Sequence, residues 1–359
     1  MPERSIIGWD IGGAHVKACL LQGGQVLDVA QWACPLWLGI DRLDAVLQGA
    51  YQRWTGLARA QHAVTMTGEM VDLFADREQG VLAISAVLGR SLEGPLRFFA
   101  GDAGWRGDAE LPAHWAAVAS ANWLATARHA ALRMGTGILV DIGSTTTDLV
   151  AFSEGRVPTR SRTDAQRLAS GELVYHGVVR TPLCAVAQRV AWRGQPHNVM
   201  NEFFATSADV YRLTGELDPA HDLHPSADNA AKDADATRQR LARMIGLDRR
   251  DAAPDEWLAF AQSWRDLQVS VLASEMRRVM AAHGLGGDAA IVSAGCGAFL
   301  VGDVVASAFG ERPAQRQLAY GSDVARVAAN AAGGSVAVRA WAQVCAPCVA
   351  VASLLDMDH

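Results

Sequence analysis

Two stretches of the chain share one order of apolar and polar positions. Residues 6–21 read IIGWDIGGAHVKACLL, and residues 138–152 read ILVDIGSTTTDLVAF. Each begins as an apolar run that predicts a buried strand, breaks at an Asp-x-Gly turn, and returns to apolar residues that predict a second strand. A further glycine turn follows at residues 22–25 and at residues 153–156. Each copy therefore predicts a strand, a tight turn, a strand, a hairpin turn and a third strand.

The two stretches align residue by residue. Asp10 matches Asp141, and Gly12 matches Gly143, with the later turns in the same register. We interpret this match as an internal duplication of two α/β halves, each opening with a three-stranded antiparallel meander. The predicted domains are residues 1–136, residues 137–333 with a helical insertion, and residues 334–359 as a C-terminal helix packed on the first half.

Helical periodicity of apolar residues fills most of the remaining chain. Helices are predicted at residues 41–54, 76–88, 182–190, 200–213, 229–245 and 256–282, with two closing helices within residues 322–352. Short strands are predicted at residues 62–67 and 289–292. Ser120 is predicted to be the N-cap of one more helix, which ends near Gly135. Residues 218–235, which contain several Pro, His and Asp residues, are predicted to be irregular.

Composition limits the classes of function. The chain has 359 residues, of which 50% are hydrophobic, so a sizeable core and two domains are expected. The net charge of −6 gives no broad basic field, so no nucleic-acid partner is expected. The first ten residues show no apolar signal-peptide core, and no apolar run reaches the length of a membrane span. We therefore expect a cytoplasmic protein with no membrane partner and with reduced thiols, including the Cys345–Cys348 pair, and a homo-oligomer is compatible with this.

The two glycine turns are suited to hold an anion. Backbone amides at such a turn can converge on phosphate oxygens, because glycine allows close approach and positive φ. Lys17 adds a positive charge to the first loop, and hydroxyl groups add donors to the second. Asp10 and Asp141, at the ends of their strands, are placed to hold Mg²⁺ against the same phosphates. Serine, threonine and glycine also make ordinary turns, and it is the duplication that favours one anion held by both loops.

These residues resemble the phosphate-1 and phosphate-2 motifs of the superfamily that contains actin, sugar kinases and heat-shock-chaperone ATPases. The resemblance implies an α/β fold with two duplicated ribonuclease H-like domains around a central cleft. Gly295-Cys296-Gly297 lies where that superfamily places its adenosine motif, but Cys296 separates two glycines that are usually adjacent. An adenosine site and an ordinary strand-to-helix turn both fit this segment, and ATP is not expected as a cofactor. The predicted diphosphate-binding residues are Gly12, Gly13, Ala14, Lys17, Gly143, Ser144, Thr145, Thr146, Gly295 and Gly297.

A narrower resemblance extends over nearly the whole chain. It rests on six strings that occur in this order: ANWLATA (121–127), DIGSTTTDLV (141–150), GELVYHGVVRTPLCAVA (171–187), ADVYRLTGEL (208–217), DLHPSAD (222–228) and RLARMIGLD (240–248). They are similar to the hydantoinase/oxoprolinase-related family linked to tetrahydromethanopterin-dependent one-carbon transfer. The resemblance implies an alkyltransferase of methanofuran or methylofuran biosynthesis. Its partners would be a furan methyl diphosphate and the phenol of γ-glutamyltyramine or a tyrosine analogue, with pyrophosphate released.

The implied reaction requires that the C–O bond to the diphosphate be weakened. Amide donors, Lys17 and Mg²⁺ would stabilise the departing negative charge. The incoming phenol, with a pKa of about 10, needs a base or a stabilised phenolate. Asp148, which aligns with Lys17, and Glu172 are the candidate bases. Asp148 is also a candidate metal ligand, and Glu172 fits equally well as a carboxylate at a helix start.

Five residues are candidates for substrate contact, each with a structural alternative. Asn122 and Trp123 are placed in the acceptor pocket, although a helical Trp is also typical of a core. Tyr175 is suited to stack on an aromatic substrate or to fill the core. Arg180 is suited to bind a glutamyl carboxylate or a diphosphate, and it fits a surface ion pair equally well. His221 and His224 look like metal ligands, but their spacing matches no strong zinc pattern, and His224 is a candidate for substrate contact.

The loops alone leave two other classes of function open. One is an ATP-dependent small-molecule kinase or a hydantoinase/oxoprolinase-type ATPase, and the other is a non-catalytic sensor on the same fold. Binding of pyrophosphate and Mg²⁺ without a requirement for adenine would favour the alkyltransferase. Strong selectivity for ATP would favour one of the alternatives.

Overall fold

The computed structural model describes residues 4–54, 60–310 and 316–358. The chain divides into two compact units. The first contains Met1–Gly137, Phe152–Pro158 and Leu318–His359, and the second contains Ile138–Ala151 and Thr159–Gln317.

Strands and helices are numbered in chain order. The strands are β1 Ser5–Ile11, β2 His15–Gln22, β3 Gln25–Ala33, β4 Gln61–Met66, β5 Leu96–Phe99, β6 Trp105–Arg106, β7 Gly137–Ile142, β8 Thr147–Phe152, β9 Leu173–Val174, β10 Arg189–Trp192, β11 Gln195–Asn198, β12 Ala290–Ala294 and β13 Gln317–Ala319. The helices are α1 Asp41–Arg53, α2 Arg77–Ser91, α3 Leu111–Val118, α4 Asn122–Met134, α5 Asp164–Ser170, α6 Leu183–Val186, α7 Ser207–Thr214, α8 Ala234–Arg243, α9 Pro254–Ala282, α10 Val301–Phe309, α11 Ser335–Val344 and α12 Ala346–Met357.

The sheet of the first unit has the strand order β3-β2-β1-β4-β5-β6. Strands β1, β2 and β3 form an antiparallel meander, in which Asp10 lies opposite Lys17. Strand β4 runs parallel to β1, and β5 runs parallel to β4. This mixed order is the one expected of a ribonuclease H-like domain, and the predicted α/β class is confirmed.

The sheet of the second unit has the order β13-β12-β7-β8-β9. Strand β7 lies between β8 and β12, as β1 lies between β2 and β4, so the duplicated hairpin is confirmed. The third strand predicted after residues 153–156 is wrong. Only a Ser153–Arg156 bridge forms there, and Pro158 two residues later has no N–H to donate to a ladder. The two-residue strand β9, which pairs with β8, takes the place of β3.

One face of the first sheet carries Ile7, Trp9 and Ile11, which pack against buried side chains of α1 and α2. Helix α12 packs across β1, β2, β4 and α4. Its close approach depends on Gly8, since a Cβ there would lie 2.0 Å from Cys348 O and 2.9 Å from Ala352 Cβ. The C-terminal helix is thus part of the core of this unit.

The second unit is organised around the 29-residue helix α9. Its buried face includes Trp257 and Trp264, which share one apolar core with β7, α7 and α10. Trp257 stacks on Trp192 of β10, with ring centroids 4.6 Å apart. The predicted helix at residues 256–282 is therefore confirmed, and its Trp257 holds the β10–β11 hairpin.

Several predicted helices are shorter than expected or wrong. Residues 182–190 contain only the single-turn α6 and the start of β10. Residues 200–206 are not helical, because the helix begins only after Thr206, whose N–H donates to the Asp209 carboxylate (3.0 Å) in a capping box. Residues 322–334 are likewise not α-helical, while α11 and α12 confirm the two closing helices.

The predicted N-cap of α4 is also wrong. The helix ends at Gly135 as expected, but its N-cap is Ala121, which makes no side-chain capping bond. Ser120 has a left-handed backbone, with φ of 51°, and its hydroxyl donates to the Glu69 carboxylate (2.8 Å). A tertiary contact has therefore replaced the local capping bond that the sequence predicts.

Two buried histidines of the first unit are held neutral. The Trp9 indole donates to His62 Nδ1 (3.1 Å), and burial lowers the pKa of His62 to about 4. Burial, followed by the charges of Arg133 and Arg326, lowers the pKa of His129 to about 3. Since the unfolded chain binds these protons near pH 6.5, acid favours unfolding.

We predict that Gly8→Ala destabilises the first unit. The added Cβ cannot fit against Cys348 O, so α12 must shift, and overpacking of this kind costs about 1–3 kcal/mol. The free energy of unfolding in urea would measure the loss. Gly287→Ala is the matched control, because a Cβ there meets no atom of the described chain within 4 Å. Equal stability of both variants would contradict the packing described for Gly8.

We predict that stability falls as the pH decreases from about 6.5 towards 4. The unfolded His62 gains a proton in this window while the folded one does not, which removes roughly 3 kcal/mol at the lower end. Urea unfolding at pH 7 and pH 5, followed by circular dichroism, measures the slope. His62→Gln should show a shallower pH dependence than the parent chain, with His129 supplying the remainder. An unchanged slope in His62→Gln would exclude this assignment.

Candidate functional site

The first glycine loop, residues 12–14, is a tight turn closed by one backbone bond. The Gly12 N–H donates to His15 O (2.9 Å). The carbonyl groups of Gly13 and Ala14 accept from Leu36 N–H (3.0 Å) and Cys34 N–H (2.8 Å). A Cβ on Gly12 would lie 2.7 Å from His15 O, so only glycine fits this position.

The second glycine loop, residues 143–146, repeats this construction. The Gly143 N–H donates to Thr146 O (2.8 Å), the same offset of three residues. The Gly143 carbonyl accepts from Val178 N–H (3.0 Å), while the Ser144 carbonyl accepts from Val179 N–H (3.0 Å) and Arg180 N–H (2.8 Å). The equivalence of the two loops, predicted from sequence alone, therefore extends to individual hydrogen bonds.

The amides of both loops have a different environment from their carbonyls. Within residues 4–54, 60–310 and 316–358, the N–H groups of Gly13 and Ala14 donate to no acceptor, and those of Ser144, Thr145 and Thr146 also donate to none. The carbonyls are held by a later segment in each case. Each loop can therefore direct two or three amides at an anion.

The second loop is supported by Gly177, a residue that the sequence analysis did not single out within the string at residues 171–187. Gly177 packs directly on it, since a Cβ there would lie 2.4 Å from both Ser144 C and Thr145 N. The Gly177 N–H donates to Thr181 Oγ1 (2.8 Å), and its carbonyl accepts from Gln268 Nε2 (3.1 Å). Gly177 is visible in the sequence as a glycine within GELVYHGVVRTP. Its role, however, becomes clear only from its contact with Ser144 and Thr145.

The predicted third glycine segment also reaches the second loop. Gly295 has φ of 84°, and a Cβ there would lie 2.2 Å from Ile142 O and 2.5 Å from Asp141 Oδ1. Gly297 donates its N–H to Ile142 O (2.8 Å). Close packing against the end of β7 is thus sufficient to explain both glycines, and half-buried Cys296 lies between them.

The two strand-end aspartates differ in their surroundings. Asp10 is 4% exposed, and its Oδ2 lies 3.9 Å from Lys17 Nζ across the β1–β2 pair. Asp141 is half-buried beside Gly295. Within the part of the chain that the structure describes, no group of three or more His, Cys, Asp or Glu side chains is arranged so that it could hold a metal ion by itself. A Mg²⁺ ion would therefore depend on phosphate and water for most of its ligands, which is usual for this ion.

The two candidate bases are engaged in internal contacts. Asp148 accepts from Arg167 Nη2 (2.7 Å), and the same nitrogen donates to the Glu172 carbonyl (3.0 Å). The Glu172 carboxylate, 2% exposed, accepts from Ser170 Oγ (3.0 Å) and lies 3.1 Å from His283 Nε2. Burial acts to raise the pKa of Glu172, but hydrogen bonds led by Thr159 and His283 lower it overall. These environments suit structural carboxylates better than proton acceptors.

The substrate candidates lie in different surroundings. Trp123 is 3% exposed and belongs to the core, and its backbone N–H donates to Asn122 Oδ1 (2.8 Å). Tyr175 is 58% exposed, so it does not fill the core. Arg180 is half-buried at the second loop, and burial lowers its pKa. His224 is half-buried in the irregular segment 218–235.

That irregular segment is held by ion pairs. Arg212 donates two hydrogen bonds to the Asp222 carboxylate (2.6 and 3.0 Å), and Lys232 donates a third (3.0 Å). Arg240 and Asp209, each with a fully buried side chain, form a further pair (2.7 Å) behind it. Lys232, the second of the two lysines in the chain, is therefore structural.

Comparison with known proteins identifies the family of this chain. The family described as hydantoinase/oxoprolinase matches residues 60–338. The chain belongs to the hydantoinase/oxoprolinase family. The resemblance inferred from the motif strings is thereby confirmed.

Two relatives carry the same name, (4-{4-[2-(γ-L-glutamylamino)ethyl]phenoxymethyl}furan-2-yl)methanamine synthase. The one from Methanocaldococcus jannaschii is 30% identical over 257 residues, which cover 71% of this chain and 76% of the relative. The one from Methanococcus vannielii is 29% identical over 151 residues, which cover 41% of this chain and 66% of the relative. Both are named as synthases, which supports an enzyme acting on small molecules.

Two solved structures show weak overall likeness. A ROK family glucokinase from Streptomyces griseus, in complex with glucose and AMPPNP, is 15% identical with a TM-score of 0.48 over 98% of both chains. A nucleotide-free acetone carboxylase is 11% identical with a TM-score of 0.48 over 86% of this chain and 67% of the other.

The length and hydropathy of each helix can be compared with what a membrane span requires. Among the described residues, no single helix has both the length and the apolar character needed to span a bilayer. The pair α11 and α12 meets the test in length and composition only when taken together, and it is bent by 101°.

We predict that pyrophosphate with Mg²⁺ protects Cys296 from a thiol-alkylating reagent. An anion on the second loop would cover the turn between Gly295 and Gly297, and occupancy at ten times Kd slows labelling about tenfold. Mass spectrometry of labelled peptides measures the rate. The half-buried Cys184 serves as the internal reference and should be protected less. Equal labelling of Cys296 with and without pyrophosphate would place the anion elsewhere.

Proposed function

We propose that the chain is an alkyltransferase that joins a furan methyl diphosphate to a phenolic acceptor and releases pyrophosphate. The relatives' names describe a phenoxymethyl-furan amine, an ether between a phenol and the methyl carbon of a furan. Formation of such an ether requires a leaving group on that carbon. The acceptor is γ-glutamyltyramine or a tyrosine analogue, and the product serves a methanofuran-type carrier of one-carbon metabolism.

The observation that carries this proposal is the pair of equivalent glycine loops with available amides. A departing diphosphate gains negative charge as its C–O bond breaks, and preorganised amides stabilise that charge more than they stabilise the bound substrate. The second loop adds the hydroxyls of Ser144 and Thr145, which lie 3.5 Å apart. The half-buried Arg180, whose N–H already donates to Ser144 O, adds a cation next to this loop.

Lys17 supplies the corresponding charge in the first loop. It lies on β2, directly opposite Asp10, at a distance too long for a strong hydrogen bond. In the proposal, its ammonium group faces a phosphate held at the first loop. The aligned position in the second half, Asp148, is occupied by an ion pair with Arg167, so the two halves are not equivalent at this position.

A divalent cation fits the carboxylates present. In the proposal, Asp141 beside the second loop and Asp10 at the end of β1 are the carboxylates that ligate it. Mg²⁺ needs only one or two carboxylates when phosphates and water complete its coordination. When bound, it would neutralise charge on the diphosphate.

A kinase or ATPase of the same fold is the competing proposal. Gly295 and Gly297, the segment expected to contact adenosine, are accounted for by their packing against the end of β7. This contact leaves no requirement for a nucleotide at that turn. The dependence of the reaction on ATP decides between the two proposals.

We expect pyrophosphate release only when a furan methyl diphosphate and a phenolic amine or amino acid are both present. ATP should be neither consumed nor required. Coupled detection of pyrophosphate, with mass spectrometry of the aryl ether, measures both products. Product that forms only with ATP, or stoichiometric cleavage of ATP, would overturn the alkyltransferase and favour the kinase-type function.

The variant Lys17→Ala should lower kcat more than it changes KM for the acceptor. Its charge acts mainly as the C–O bond breaks, so the loss could reach roughly 2.7–4 kcal/mol, about 10²–10³-fold. Lys17→Arg keeps the charge on the same strand and should lose less. Equal losses in the two variants, or an effect on KM alone, would remove Lys17 from the leaving-group site.

A further inference from the structure

Ser120 occupies an unusual position for a serine. Its φ of 51° is a conformation that side chains other than Gly, Asn and Asp rarely adopt. It does not cap α4, whose N-cap is Ala121. The strained backbone instead directs the hydroxyl to Glu69 Oε1 (2.8 Å), in a buried setting.

Glu69 is seated by close backbone contacts. Its carboxylate belongs to a residue only 1% exposed, in the short 3₁₀ turn Gly68–Met70 after β4. A Cβ on Gly80 of α2 would lie 2.5–2.8 Å from Glu69 O, Cα and Cβ. Helix α2 therefore packs tightly against the backbone of Glu69, and this contact fixes the position from which the carboxylate extends.

This turn lies against the first glycine loop. The Thr67 N–H donates to Ile11 O (2.9 Å), immediately before the loop. A Cβ on Gly68 would lie 3.3 Å from Gly12 C, and one on Gly13 would lie 2.6 Å from Val71 Cγ1. Loop and turn are thus adjacent backbone segments of the same unit.

The outer side of the pair is formed by the apolar side chain of Met70. Ser120 Oγ lies 3.5 Å from Met70 Sδ, and Met70 is 50% exposed. The hydroxyl therefore lies between a buried carboxylate and an exposed thioether. A thioether makes favourable contacts with aromatic rings, and the hydroxyl can accept a hydrogen bond while it donates to Glu69. An aromatic ring that carries a hydroxyl group matches both features.

We propose that Ser120 and Glu69 form the acceptor-activating pair, with Met70 packing on the phenol ring. The inference rests on the proposed function. The phenol passes its proton to Ser120 Oγ as Ser120 passes its own proton to Glu69. The phenol oxygen then forms the bond to the furan methyl carbon, and the C–O bond to the diphosphate breaks with its electron pair leaving on pyrophosphate. Glu69 returns the proton to water after the products depart.

The test varies both the enzyme and the acidity of the acceptor. Glu69→Gln keeps an oxygen for Ser120 but cannot take a proton, so kcat/KM with tyramine-type phenols should fall about 100-fold or more. Acceptors with fluorine substituents on the phenol ring, which ionise near neutral pH, should recover most of this loss. With the ordinary phenol, the rate of Glu69→Gln should rise with pH towards about 10, where the phenol ionises by itself.

Ser120→Gly separates chemistry from folding. Glycine adopts the φ of this position without strain, and this relief offsets the loss of the hydrogen bond to the buried Glu69, so the variant should stay folded with a stability close to that of the parent. It nevertheless loses the hydroxyl and should lose rate in parallel with Glu69→Gln. Glu78→Gln, an exposed carboxylate on α2, is the matched control and should retain parental rates.

The outcomes distinguish the two proposals. If the parent forms the aryl ether but Glu69→Gln keeps its rate, or loses the same factor with every acceptor, only the acceptor-activating pair is overturned. If the parent forms no ether from these substrates at all, the proposed function fails and this inference fails with it. Recovery by acidic phenols, together with a stable but slow Ser120→Gly, would support the pair.

Discussion

The structure depends on one constraint that occurs twice, a backbone turn closed by an N–H to carbonyl bond three residues ahead, at Gly12 and at Gly143. Two later backbone segments pack against the second turn so closely that a Cβ would collide with it or with the end of β7. Glycine therefore occupies the contact positions, Gly177 and Gly295. The loop carbonyls accept hydrogen bonds within this packing, while the amides of Gly13, Ala14, Ser144, Thr145 and Thr146 donate to no acceptor in the described part of the chain. The proposed anion site would therefore follow from how the hairpins close, with its donors in place before a ligand binds.

Buried carboxylates in this chain differ in what they can do, and their partners decide it. Glu172 is surrounded by donors that stabilise its charged form, and Asp148 is paired with the buried Arg167. Both carboxylates are thereby engaged in structural contacts, although the alignment with Lys17 draws attention to Asp148. The Glu69 carboxylate instead accepts from a serine hydroxyl next to an exposed side chain, Met70. The same functional group thus serves architecture in one place and is suited to chemistry in another.

The two halves have diverged around their common hairpins. In the first unit, the chain returns after residue 334 and places α12 on the face of the sheet where Gly8 leaves room. In the second unit, α9 and the stacked Trp192–Trp257 pair form part of the apolar core instead. Ion pairs of Arg212 and Lys232 with Asp222 hold the irregular segment that follows α7. The two units therefore share their loops and the strands that flank them, while different helices pack against their sheets.

The sequence by itself determined the α/β class, the family, the duplicated loops and the long amphipathic helices, because these depend on local periodicity and on turn chemistry that neighbouring residues carry. It could not determine the third strand after residues 153–156, the late start of α7 at Ser207, or the destination of the Ser120 hydroxyl. The Asp209 side chain decided the start of α7 by accepting from a backbone N–H, and a partner distant in the chain decided the contact of the Ser120 hydroxyl. Pro158 and the pairing of β9 with β8 decided against the third strand. Ser120 is the clearest case: a serine before a helix favours a cap, but the buried Glu69, 51 residues earlier, offers its hydroxyl a stronger acceptor that exists only once the unit has folded.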